Sequence, residues 1–130
     1  MVEINTLWLA RRYVKYVIFE EKEALARIEK RYPVVTAIVA TYFDLESLRN
    51  RRCSVCGKEF KTRSGLYKHL TRSSSCKIEF WLNLYAIEKS MGFVKKLYNK
   101  NRLCYEVNGR CVKASELADM IMKGVKPWKT

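Results

Sequence analysis

The sequence predicts a mainly α-helical α+β fold, in which a helical scaffold surrounds one small ββα module and a β-hairpin follows near the C-terminus. Three observations support this prediction. Apolar residues recur at helical spacing on both sides of the centre, cysteine and histidine residues cluster at the centre, and Asn108-Gly109 is a strong hairpin turn signal. With 130 residues, 48% of them hydrophobic, the chain can form one domain around its own core.

Residues 1–50 are predicted to form an N-terminal helical region. One helix is expected over residues 6–31, where apolar side chains recur at helical spacing. The Tyr32-Pro33 step should end that helix, because a residue before proline avoids helical backbone angles. Residues 34–50 fit a helix, although their β-branched beginning also suits a strand. We favour the helix, which would give an antiparallel pair of helices.

Residues 78–130 are predicted to pack against the N-terminal region, so that the chain forms one compact unit. A long helix is expected over 78–99, a hairpin over 103–113 and a final helix over 115–123. Gly92 inside the long helix indicates a close approach or a kink. The expected buried face of the long helix comprises Phe80, Trp81, Leu82, Leu84, Tyr85, Ile87, Met91, Val94 and Tyr98.

The hairpin register follows from its turn, which should place Val107 opposite Arg110. Cys104 and Cys111 are then diagonal neighbours, too far apart for an easy disulfide, and we expect free thiols. One face of the hairpin should carry Leu103, Tyr105, Val107 and Val112.

The central segment, residues 51–77, carries the pattern C-x2-C-x12-H-x6-C at Cys53, Cys56, His69 and Cys76. Thiolate sulfur and imidazole nitrogen are the ligands of structural zinc sites, and four of them complete a tetrahedral shell. The spacing therefore predicts one structural Zn²⁺. So small a module cannot be stabilised by burial alone, so metal binding should contribute folding free energy.

This segment resembles the C2H2 zinc-finger family. The family pattern C-x2-C-x3-F-x5-L-x2-H is matched at Cys53, Cys56, Phe60, Leu66 and His69. The resemblance implies two short strands and a helix over 63–72. The last ligand departs from the family, because Cys76 replaces the usual second histidine and arrives later. The chain therefore resembles a CCHC variant with a single finger.

The serines at 73–75 are expected to let the chain leave the finger helix before Cys76 returns to the metal. An all-cysteine arrangement is the rival zinc site. It would leave the histidine and the fourth cysteine of the pattern unused, and it would consist of Cys53, Cys56, Cys104 and Cys111.

Charge is concentrated on the same segment. The whole chain has a net charge of +13, and residues 51–77 hold eight basic residues against one acidic residue. A basic patch on a compact module is typical of nucleic-acid binding. The predicted contacts are Arg51, Arg52, Lys58, Lys61, Thr62, Arg63, Ser64, Tyr67, Lys68, Arg72 and Lys77.

The family resemblance assigns base-reading positions to Thr62, Gly65 and Lys68, with Ser64 beside them. None is an arginine, so the finger is better suited to phosphates than to base edges. Tyr67 could stack on an exposed base, although packing against neighbouring helices is favoured.

We therefore predict a zinc-dependent DNA-binding protein, most directly a transcriptional regulator, and its helical parts could supply a homodimer interface. The alternative is an RNA-binding or ribosome-associated protein. A third interpretation is a finger that binds an acidic protein.

Neither an enzyme nor a small-molecule site is expected, because the pattern claims the one histidine and the sequence contains no recognisable catalytic constellation. Charges interrupt every apolar run, so no membrane span is expected. The absence of glutamine and the abundance of lysine, arginine and glutamate resemble hyperthermophile composition. The chain looks like the small basic proteins of archaea and their viruses. Because no secretory or organelle signal is legible, we expect a cytoplasmic location, in the host if viral.

Overall fold

The structure, a computed structural model, describes residues 6–72 and 74–128, with the side chain of Ser74 left aside. Residues 1–5, 73 and 129–130 belong to the predicted N-terminal, finger and C-terminal segments, but they lie outside the described residues. The fold is 66% helical with a small three-stranded antiparallel sheet, which confirms the predicted class. The helices are α1 (Thr6–Ile18), α2 (Lys22–Arg31), α3 (Pro33–Tyr42), α4 (Leu45–Arg49), α5 (Arg63–Arg72), α6 (Ser74–Lys96) and α7 (Ala114–Met122). The strands are β1 (Tyr98–Asn99), β2 (Cys104–Val107) and β3 (Arg110–Val112).

The prediction of a single helix over 6–31 is wrong, because the helix is interrupted by a turn between α1 and α2. Glu20 has a left-handed φ of 53°, and the Glu21 amide donates to the Tyr16 carbonyl in a closing turn. The break lets α2 fold back on α1, and α2 itself has no fully buried residue.

Residues 33–49 are helical, which confirms the preference for helix over strand, but they form two helices rather than one. Pro33 occupies the first turn of α3, where its missing amide leaves no helical bond unmade. Asp44 then caps α4, because its carboxylate accepts from the amide and hydroxyl of Ser47. The hydrogen bonds to Ser47 hold the pKa of Asp44 below its usual value.

The long helix α6 begins four residues earlier than predicted, at Ser74, and ends at Lys96. The finger helix ends at Arg72, so the chain leaves it before Cys76 as expected, but Cys76 then lies in the first turn of α6 rather than in a loop. Gly92 does not mark a close approach, because a Cβ there would meet no atom within 4 Å, and α6 continues past it to Lys96.

The predicted buried face of α6 is correct along its central stripe and wrong at its edge. Phe80, Leu84, Ile87, Met91 and Val94 are buried, whereas Leu82, Tyr85 and Tyr98 are exposed. Tyr98 lies in β1, a strand that the sequence did not predict.

The hairpin has the predicted register, with Val107 opposite Arg110. Leu103 does not share the buried face, because it is exposed at a left-handed φ of 56° before β2 begins. Cys104 and Cys111 are diagonal neighbours as expected, but they form a disulfide, so the prediction of free thiols is wrong. Strand twist brings their Cα atoms to 5.5 Å, a separation that a disulfide spans readily.

One hydrophobic cluster includes residues from every region of the chain. Helix α6 packs against α1, α3 and α5, and α7 packs along α3. Leu66 and Leu70 of α5 are fully buried in this cluster. Full burial of a leucine stabilises a fold by roughly 1.5–3 kcal/mol, so α5 is anchored by the core as well as by its own module. Among the described residues, no helix is both long and apolar enough to cross a membrane.

Candidate metal centre

The structure brings together all four side chains that the spacing pattern predicts as ligands. Cys53 and Cys56 lie on the turn before α5, His69 lies on α5, and Cys76 lies on α6. Their ligand atoms are all within 4.8 Å of one another, and the Cys56 Sγ is 3.5 Å from the His69 Nε2. These four side chains could hold one metal ion.

The turn that carries the first two cysteines is shaped for metal binding. The backbone amides of Val55 and Cys56 each lie 3.4 Å from the Cys53 Sγ and donate to it. Amide donors stabilise a thiolate, because they hydrogen-bond to its charged form. Gly57 follows with a φ of 77°, which only glycine adopts at little cost, and the Cys53 amide closes the turn by donating to the Lys58 carbonyl.

Helix α5 starts at the predicted residue because Thr62 caps it. The Thr62 hydroxyl accepts from the Gly65 amide at 3.0 Å. His69 is then carried over the Phe60 ring, with the two ring centroids 4.9 Å apart. The two strands implied by the family resemblance are reduced to one isolated bridge, between Arg52 and Glu59.

Burial and hydrogen bonding alter the proton affinity of three ligands. A backbone hydrogen bond at Lys58 lowers the pKa of Cys56, whereas burial raises the pKa of the Cys76 thiol to about 11. Burial also lowers the pKa of His69, and the nearby Lys58 ammonium acts in the same direction. A neutral imidazole and three thiols around one point form a donor set that suits a soft or borderline divalent cation.

The rival all-cysteine site is wrong, because Cys104 and Cys111 are bonded to each other in the hairpin. The free cysteines of the described chain are Cys53, Cys56 and Cys76, the three that meet His69.

Helix α5 divides the predicted nucleic-acid residues between two faces. Ser64, Lys68 and Arg72 recur every four residues along its exposed face. Tyr67 lies on the other side, where its ring is 5.5 Å from that of Phe19. The preference for packing over base stacking at Tyr67 matches this position.

Arg63 also turns inward, and its guanidinium joins three segments. Its Nη1 donates to the Ile18 carbonyl at 3.0 Å and to the Arg49 carbonyl at 3.4 Å. Its Nη2 lies 3.1 Å from the Glu20 carboxylate. Sequence reasoning missed this role, because the partners come from the ends of α1 and α4 and no local pattern connects them.

The remaining predicted contacts lie on the exposed surface around the turn that carries Cys53 and Cys56. Arg51 donates to the Lys61 carbonyl at 3.1 Å, and Arg52 lies 3.8 Å from Glu59, its bridge partner. Lys58 lies over the Phe60 ring. Lys61 and Lys77 are exposed beside α5 and at the start of α6.

Comparison with known proteins yields no relatives. No protein-family profile matches the chain, and no curated protein or solved structure matches it either.

Proposed function

We propose that the protein binds zinc at Cys53, Cys56, His69 and Cys76, and that the zinc-loaded module binds nucleic acid. Three sulfur donors and one imidazole, without a carboxylate, are typical of structural zinc. Four protein ligands leave no open position for water or substrate, so the metal would support a binding surface and no catalytic step.

The observation that carries the nucleic-acid proposal is the outer face of α5. It presents Lys68 and Arg72, with Lys61 just before the helix, and no acidic residue lies on α5. The opposite face is held by Leu66 and Leu70 in the core. A basic face on a rigidly supported helix is suited to the phosphate backbone, which contributes most of the affinity in such complexes.

Direct base reading has little support, because the side chains at and beside the base-reading positions are short or unforked. Ser64 is exposed but short, and Gly65 has no side chain. A Cβ at position 65 would lie only 3.0 Å from the Thr62 hydroxyl. Lysine lacks the planar fork with which arginine reads guanine. The protein would therefore bind the phosphate backbone and show only a modest preference among nucleic-acid sequences.

Duplex DNA is the favoured target, and a transcriptional regulator is the favoured role. This preference rests on the resemblance of residues 51–77 to C2H2 fingers. A structured RNA is the alternative, because a phosphate-binding face serves either polymer.

The test is a salt titration of binding with a matched charge control. The triple variant Lys61→Ala, Lys68→Ala, Arg72→Ala should reduce the slope of log K against log salt on duplex DNA by about 2.7, since each phosphate contact contributes about 0.9. The control variant Lys95→Ala, Lys96→Ala, Lys100→Ala removes the same charge at and just beyond the C-terminal end of α6. It should leave the slope almost unchanged.

Equal salt slopes for the triple variant and the control variant would contradict the proposal that α5 contacts phosphates. A structured RNA competing more strongly than the duplex would select the alternative target.

A further inference from the structure

The outward face of α1 is basic and aromatic, although the N-terminal region as a whole is nearly neutral. Residues 1–50 contain eight basic and seven acidic residues, yet α1 itself has no acidic side chain. Three cations of α1 each lie against an aromatic ring. The pairs are Arg12 with Trp8 at 4.9 Å, Arg11 with Trp81 at 5.3 Å and Lys15 with Tyr67 at 5.5 Å.

A cleft of about 270 Å³ between α1 and α2 continues this surface. Arginines and aromatic rings make up two thirds of its lining, and no carboxylate lines it. The lining arginines and rings are Arg12, Arg27, Arg31, Trp8, Tyr16 and Tyr32. We refer to these six residues as the arginine–aromatic cleft.

Three acidic residues of the same region are engaged elsewhere. Glu20 pairs with Arg63, Glu29 accepts from the Tyr13 hydroxyl at 2.9 Å, and Asp44 caps α4. Across the described residues, the ion pairs are Arg52–Glu59, Arg63–Glu20 and Arg102–Glu106, so the three arginines of the cleft take part in none. Folding thus separates the charges and leaves the cleft positive.

We propose that the arginine–aromatic cleft is a second contact surface for nucleic acid and that it takes an unpaired strand. The inference rests on the proposed function, because it extends the same surface beyond α5. Guanidinium groups bind phosphates. Aromatic rings stack on bases only where those bases are unstacked from a duplex. A cleft that combines both groups therefore fits a single strand better than a double helix.

The cleft and the α5 face are physically connected. Arg11 of α1, next to Arg12 of the cleft, reaches over Trp81 of α6. A nearby depression of about 540 Å³ is lined by Arg72 of α5 and by Trp81 and Tyr85 of α6. One strand could leave the α5 face and cross α1 into the cleft, so the preferred target would be a junction between duplex and single strand.

The experiment compares a cleft variant with a matched control on the same helix. Arg27→Ala with Arg31→Ala removes two exposed cleft arginines, whereas Lys30→Ala with Lys22→Ala removes two exposed lysines of α2 that do not line the cleft. The probes are an oligothymidine strand, a blunt duplex of unrelated sequence and a poly-glutamate peptide.

We expect the cleft variant to lower the salt slope on oligothymidine by about 1.4, since each phosphate contact on a single strand contributes about 0.7. Trp8→Ala should weaken oligothymidine binding by about tenfold through lost stacking. Neither change should alter blunt-duplex binding by more than the lysine control does.

The outcomes separate the two proposals. If the cleft variant matches the lysine control on oligothymidine while the α5 triple variant still weakens duplex binding, the cleft proposal is wrong and the proposed function stands. If the α5 variant has no effect but the cleft variant does, the α5 surface is wrong and the cleft is supported. Absence of salt-dependent binding to either oligonucleotide, or tighter binding of poly-glutamate to the cleft, would overturn the cleft proposal.

Discussion

The turn that carries Cys53 and Cys56 and the helix that carries His69 belong to one module, yet they are stabilised differently. The turn is mostly exposed and has a single β-bridge, between Arg52 and Glu59. Helix α5 buries Leu66 and Leu70 completely in the core of the whole chain. Cys76 is also part of the scaffold, since it lies in the first turn of α6 and is buried.

The difference shows what a metal would do here. In a free-standing zinc finger, metal binding supplies most of the folding free energy. In this chain the scaffold already positions two of the four ligands, so the metal would mainly fasten the turn to preformed helices. The sequence-based expectation that the module depends on metal therefore applies to the turn and not to α5.

The largest expected effect is on metal binding. Cys56→Ser removes an exposed thiol and costs no core packing, so the loss is confined to ligation. Binding at structural zinc sites amounts to roughly 10–16 kcal/mol in isolated fingers, and we expect zinc stoichiometry to fall from one toward zero. The backbone amides at positions 55 and 56 should then exchange rapidly with solvent, while those of Leu66 and Leu70 stay protected. Equally rapid amide exchange along α5 would show that the turn and the helix depend on the metal to the same extent.

The second prediction tests whether α5 belongs to the core. Leu70→Ala should lower the free energy of unfolding of the zinc-loaded protein by about 2–5 kcal/mol, because it opens a cavity at a fully buried position. Val55→Ala is the control on the exposed turn, where the change should stay within about 0.5 kcal/mol. Chemical denaturation measures both. A small effect of Leu70→Ala would mean that α5 is held by metal alone.

The smallest expected effect concerns Arg63, which ties α5 to the ends of α1 and α4. Arg63→Ala should lower the free energy of unfolding by about 1–2 kcal/mol, since two carbonyls lose a charged donor. Arg63→Lys should recover part of this loss, because an ammonium can reach one carbonyl but lacks the fork. The salt dependence of nucleic-acid binding should not change. A reduced salt slope with normal stability would instead make Arg63 a phosphate contact.

Much of the candidate site was predictable because its determinants are local or periodic. The spacing of Cys53, Cys56, His69 and Cys76 predicted a group that the folded chain brings together. The first and last residues of α5 were predicted as observed, because the resemblance located the helix and Thr62 caps it. The Asn108-Gly109 turn predicted the hairpin register for the same local reason.

Other features failed prediction because their partners are distant in sequence. The break at Glu20 depends on α2 folding back across α1, and the inward turn of Arg63 depends on carbonyls of Ile18 and Arg49. The disulfide between Cys104 and Cys111 depends on the twist of the hairpin, which brings one diagonal pair into bonding range. A flat hairpin diagram overestimates that separation.

The sequence by itself determined the helical class, the four clustered candidate metal ligands and the basic character of residues 51–77. These properties depend on residue type and spacing within a few turns of chain. Only the tertiary structure decided which basic residues face outward, which are tied to carbonyls, and how the arginines of α1 and α2 meet around one cleft. Charge counts along a sequence cannot show this, because electrostatic surfaces are formed by residues that folding brings together.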